Sequence, residues 1–120
     1  MQYTLLIYAD EAGWDEAPET ERAAMLARYA DLARDLREQG KLLGGEELCP
    51  VATATSVRVR AGDTIVSDGP FAETKEALGG FYLIEAESLD EAIEWASRIP
   101  AATRGTIEVR PLVVHPGERS

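Results

Sequence analysis

The 120-residue chain reads as an α+β domain of the ferredoxin-like type, βαββαβ with an extra β-hairpin, and as one half of a dimeric α/β barrel. Three observations predict this. Apolar runs and amphipathic periods alternate in the order strand, helix, strand, hairpin, strand, helix, strand, which is the split βαβ arrangement. Two of those strands, at residues 3–9 and 80–87, are apolar on both sides, the pattern of strands whose two faces are both covered. The two long helices suffice for one face of the sheet, so a second copy of the chain is the expected cover for the other, about a two-fold axis.

Each element has a local reason. "YTLLIYA" is an almost unbroken apolar run and is expected at the centre of the sheet. After the loop "DEAGWDEA", Pro18 stands at a favoured helix start, Glu19 and Glu21 suit the positive N-terminal end, and Gly40 is a natural stop. In the helix between them, Met25, Leu26, Tyr29, Ala33 and Leu36 form the expected buried stripe, with Arg28, Asp31, Arg34, Asp35 and Glu38 in water. "KLLGGEEL" reads as a strand bent or bulged at Gly44 and Gly45. In the hairpin that follows, Val57 and Val59 alternate with Arg58 and Arg60, and Gly62-Asp63 supplies the turn, so one face is apolar and the other basic. Ser88 and Glu91 have capping-box spacing for the second helix, which Pro100 ends and which is expected to bury Leu89, Ala92, Ile93, Ala96 and Ile99. Ile107 and Val109, alternating with Glu108 and Arg110, make the closing strand. Residues 1–114 are thus one domain, and 115–120 a C-terminal tail.

Composition excludes several classes of function. With 12 basic against 22 acidic residues and a net charge of −10, the chain repels phosphate polyanions, so neither nucleic acid nor a membrane surface is an expected partner. The start of the chain lacks a basic, long apolar leader and no stretch approaches the roughly 20 apolar residues of a membrane span, which reads as a cytoplasmic protein. Cys49 and His115 are the sole cysteine and histidine and sit in no ligand spacing, so no metal site and no cofactor are expected. Cys49 has no base beside it in sequence and reads as a small apolar residue.

The segment "SDGPFAETKEALGGFYLIEAE" spends about a dozen residues before its strand begins, more than a plain connection between strands needs. It resembles the signature of the DGPF group of the YCII-related family, and the similarity runs from "YTLLIYADEAGW" to "VRPL". The resemblance implies a dimeric α+β barrel, a bacterial source, and often a gene near an extracytoplasmic-function sigma factor, which makes a sigma-factor-linked protein a candidate partner. For the wider family it implies acid/base chemistry by a histidine on the first helix and an aspartate in the loop before a core strand. Asp68 matches that aspartate, whereas Tyr29 stands at the histidine's position.

The candidate catalytic residues are therefore Asp68 and Tyr29, and the candidate ligand-binding residues are Tyr8, Trp14, Arg58, Phe71 and Tyr82. Each has a plainer role beside it. Asp68, Gly69 and Pro70 are turn formers, the carboxylate bonding nearby backbone N–H groups. Phe71 can plug the loop, Tyr29 and the other aromatics can pack in the core, and Arg58 and Arg60 can pair with Glu46, Glu47 or Glu108 instead of clamping a ligand carboxylate. A phenol is a poor base near neutral pH. A small-molecule-binding or accessory homodimer hence ranks above the alternative, an enzyme using Asp68 in proton transfer.

Overall fold

A computed structural model describes residues 1–117; the last three residues of the expected tail lie outside them. The described residues form a mixed α+β structure: β1 (Gln2–Ala9), α1 (Glu11–Glu16), α2 (Glu19–Glu38), β2 (Leu42–Glu47), β3 (Thr55–Arg60), β4 (Asp63–Asp68), β5 (Ala77–Glu85), α3 (Leu89–Ser97) and β6 (Thr106–Pro111), with 3-10 turns at Val51–Thr53 and Pro100–Thr103. β2, β5, β1 and β6 lie side by side in that order in an antiparallel sheet, consistent with a ferredoxin-like fold, while β3 and β4 pair only with each other.

The doubly apolar strands β1 and β5 hold the two central places. Their register brings Leu5 opposite Tyr82 and Tyr3 opposite Ile84, and Tyr3, Leu5 and Ile84 are buried in one cluster with Leu32 and Leu36 of α2 and Ala92, Trp95 and Ala96 of α3. That cluster is the core, on one face of the sheet. The strand at Gly44 is irregular, as its glycines suggest, since the pairing with β5 slips between Leu42 and Gly44.

Four local readings differ from the structure. The segment after β1 contains α1, begun by Asp10, whose side chain accepts a hydrogen bond from the Ala12 backbone at 3.0 Å. On α2 the buried residues are Met25, Leu32 and Leu36, and Leu26 is exposed. On α3 Leu89 and Ile93 are exposed, and Trp95 takes the place expected of them. The reversal between β3 and β4 is made by Ala61 and Gly62, with φ of 49° and 83°, flanked by the Arg60–Asp63 pair; two consecutive left-handed residues are what a tight hairpin of this twist requires.

The start of α3 is tied down by several bonds that converge on Glu91. Ser88 Oγ accepts from the Glu91 backbone N–H at 3.1 Å, and the Glu91 carboxylate accepts from the Glu87 backbone N–H and from Trp95 Nε1, each at 2.9 Å. The same carboxylate pairs with Lys41 at the approach to β2. Backbone, lysine and indole together hold its pKa down to about 2. At the other end of α3, Arg98 bonds Asp35 of α2 at 2.6 Å and lies over the Trp95 ring.

Candidate functional site

The hairpin sets up the first constellation. Its register places Ser56 opposite Ser67, Arg58 opposite Ile65 and Arg60 opposite Asp63 on one face, and Val57 opposite Val66, with Thr55 opposite Asp68, on the other. Strand alternation makes that separation unavoidable. At the end of β4 the chain turns back through Gly69, whose φ of 92° suits glycine. Two bonds to β3 hold the reversal: the Gly69 N–H donates to the Ala54 carbonyl at 2.7 Å, and Ser56 Oγ donates to the Gly69 carbonyl at 2.8 Å. Pro70 and Phe71 are thereby carried over the arginine face. The result is an open groove of about 350 Å³ lined by Ser56, Arg58, Arg60, Ile65, Ser67, Pro70 and Phe71.

Of the residues singled out in the sequence, Arg58 and Phe71 meet in this groove. Phe71 is 80% exposed, so it plugs nothing. Among the described residues neither Arg58 nor Arg60 has a carboxylate partner, and the one hydrogen bond of the Arg60 side chain runs to the neighbouring Val59 carbonyl at 3.0 Å. The expected pairing with Glu46, Glu47 or Glu108 is not formed. Asp68 is exposed on the valine face, its carboxylate bonded to no backbone N–H among the described residues, so the turn is held by Gly69 and Ser56 and not by the aspartate.

The phenols form a second constellation. Tyr29 of α2 and Tyr82 of β5 both pack half-buried against the core. Burial pushes the Tyr29 hydroxyl up; the Ala101 backbone opposes this and the Glu47 charge adds to it. Burial pushes Tyr82 up as well, with Tyr29 as its neighbour and Arg37 acting in the opposite direction. Both phenols therefore stay protonated near neutral pH and can donate a hydrogen bond, but neither is a ready base. Asp68 is not among the groups acting on Tyr29. Tyr8 lies elsewhere again, on β1 opposite Leu78 and Thr106, and Trp14 is exposed on α1.

Ser56, Ile65, Ser67 and Pro70 are groove residues that the sequence reading passed over, although the alternation that separates Arg58 from Val57 also selects Ser56, and pairing in the hairpin selects its partners. Among the described residues no three His, Cys, Asp or Glu side chains gather where they could hold a metal ion, and no helix is long and apolar enough to cross a membrane.

Residues 1–115 match the YCII-related domain. The chain belongs to the YCII-related family. It is similar to an uncharacterized protein of Rhizobium meliloti (strain 1021), 43% identical over an alignment 121 positions long that covers 98% of each chain. Within this YCII-related chain, Tyr29 and Asp68 lie on different elements with different neighbours, whereas Arg58 and Phe71 share a groove.

Proposed function

We propose that this YCII-related chain, of the DGPF type, is a small-molecule-binding homodimer whose two sheets pack face to face. One observation carries the reading. On the side of the sheet away from the helices, register places Thr4, Leu6 and Tyr8 of β1 beside Leu83, Phe81 and Leu78 of β5, with Glu46 of β2 and Glu108 and Arg110 of β6 at the flanks. An apolar centre with a polar rim is the anatomy of a protein interface. The helices α2 and α3 both pack on the other face, against Tyr3, Leu5 and Ile84. A second copy fits the face away from the helices because the centre is uncharged although the chain carries −10, and the rim offers both Glu108 and Arg110 for pairing across a two-fold axis.

Binding is favoured over proton transfer by the separate placement of Tyr29 and Asp68 and by the protonated state of the phenols. Light scattering on the full chain at micromolar concentration is expected to give twice the 13.1 kDa chain mass. Phe81→Glu, which sets a charge at the centre of the face, is expected to give a folded monomer. A wild-type protein that is soluble, folded and monomeric at that concentration would refute the reading.

A further inference from the structure

We propose that the hairpin groove is a binding site for a small apolar monocarboxylate, an aryl or acyl acid whose carboxylate meets Arg58 and Arg60 and whose apolar body lies against Ile65, Pro70 and Phe71. It rests on the reading of the protein as a binder and names the ligand class and the place. The first reason is charge left unspent. Arg34, Arg98 and Arg104 are each engaged by an aspartate or glutamate; Arg58 and Arg60, like Arg22, Arg28, Arg37 and Arg110, have no carboxylate partner among the described residues, and they are set apart by standing together on one strand face. In a chain with 22 acidic residues, this face sets two arginines, two positions apart, against one carboxylate, Asp63 opposite Arg60, with which neither forms an ion pair, so its balance is locally positive. The Cα atoms of the two arginines are separated by about 6.5 Å along the strand, near enough for both guanidinium groups to reach one carboxylate, and the guanidinium fork matches carboxylate geometry.

The second reason is apolar surface in the wrong place. Phe71 is 80% exposed at the lip of the groove, two residues after Gly69, which is bonded to Ala54 and Ser56. An aromatic ring lining one groove with two arginines suits a ligand with an anionic end and an apolar end. The hydroxyl of Ser67, opposite Ser56 in the hairpin, makes no hydrogen bond among the described residues and can donate to the second carboxylate oxygen. The volume of about 350 Å³ is at the small end of ligand sites, a fit for a ring or short chain with its acid group and not for a nucleotide. Phosphate is a poorer match, because Ile65, Pro70 and Phe71 give the lining an apolar side that a phosphate cannot use.

The test is calorimetric titration of the full chain at low ionic strength with phenylacetate, its neutral isostere phenylacetamide, acetate and inorganic phosphate, with amide chemical shifts followed by NMR to locate the contact. Phenylacetate is expected to bind at least about tenfold more tightly than phenylacetamide or acetate, to shift amides of β3, β4 and residues 69–71, and to weaken as salt rises. Arg58→Ala and Arg60→Ala are each expected to weaken it about tenfold or more, Arg58→Lys less than Arg58→Ala, and Phe71→Ala to bring phenylacetate down towards acetate. All these side chains except Ser56 and Pro70 are exposed, so the variants keep the wild-type melting temperature. Equal binding of phenylacetate and phenylacetamide, unchanged binding in the arginine variants, shifts confined to other elements, or a preference for phosphate would each overturn the proposal. Light scattering on the same samples separates the two claims: a dimer that binds no carboxylate defeats the groove alone, and a monomer that binds phenylacetate defeats the dimer alone.

Discussion

Glu91 is expected to carry a measurable share of the stability, and to lose it at acid pH in a defined window. Its carboxylate is bonded by the Glu87 backbone N–H, Lys41 and Trp95, which lower its pKa from 4.5 to about 2. A carboxyl whose folded pKa lies below its unfolded value contributes stability that is fully present above the unfolded value and fades as pH falls through the folded one. The difference is worth about 3 kcal/mol at neutral pH, an upper figure because the side chain keeps 19% of its exposure and solvent screens the pair with Lys41. Glu91→Gln retains an oxygen for one N–H donor but no charge, so it is expected to cost about 1.5–3 kcal/mol at pH 7. About half of that remains at pH 3 and less than about 0.5 kcal/mol at pH 2. Urea unfolding of wild type and variant at pH 7, 4, 3 and 2 gives the difference directly, and taking the difference cancels the other acidic groups that titrate in the same range. A gap between the two proteins that is the same at pH 7 and pH 2 would refute the charge-based account and leave Glu91 as a neutral cap.

Two further outcomes follow from packing and bonding. A Cβ at Gly105 would stand 2.0 Å from the Tyr8 carbonyl oxygen, an approach that only a shift of β6 away from β1 can relieve, so Gly105→Ala is expected to cost at least about 3 kcal/mol in denaturant unfolding; a cost under about 1 kcal/mol would mean that the strands do not meet as described. Asp68 makes no cap to the turn, so Asp68→Ala and Asp68→Asn are both expected to stay within about 0.5 kcal/mol of wild type in thermal melts, and a clear loss in the alanine variant alone would restore the turn role that its sequence context suggests.

Much of the candidate site could be read in advance, and its gaps have one cause. Alternation along β3 already puts Arg58 and Arg60 on one face and Val57 and Val59 on the other, because side-chain direction in a strand depends only on parity. What parity cannot supply is the path of the chain after Asp68. Whether Phe71 fills the core or stands free over the arginines depends on the left-handed turn at Gly69 and on its bonds to Ala54 and Ser56, contacts between residues 13 or more positions apart. The same holds for Tyr29 and Asp68, which share a functional expectation in sequence but are placed by different packing partners in space.

By itself the sequence determined the alternation of strands and helices, the central place of the two doubly apolar strands, the Ser88–Glu91 cap and the two-faced hairpin, all of them consequences of local period, polarity and backbone preference. The tertiary structure alone decided which side of each helix meets the sheet. A period of 3.6 residues announces an apolar stripe but leaves its centre uncertain by a residue, and the sheet selected Leu32 and Trp95 over Leu26 and Ile93. It also decided that Gly105 must pass against the Tyr8 carbonyl and that Lys41 and Trp95 converge on Glu91. Those are distances between elements, set when the helices close onto the sheet and side-chain volumes must interlock, and no property of a single segment contains them.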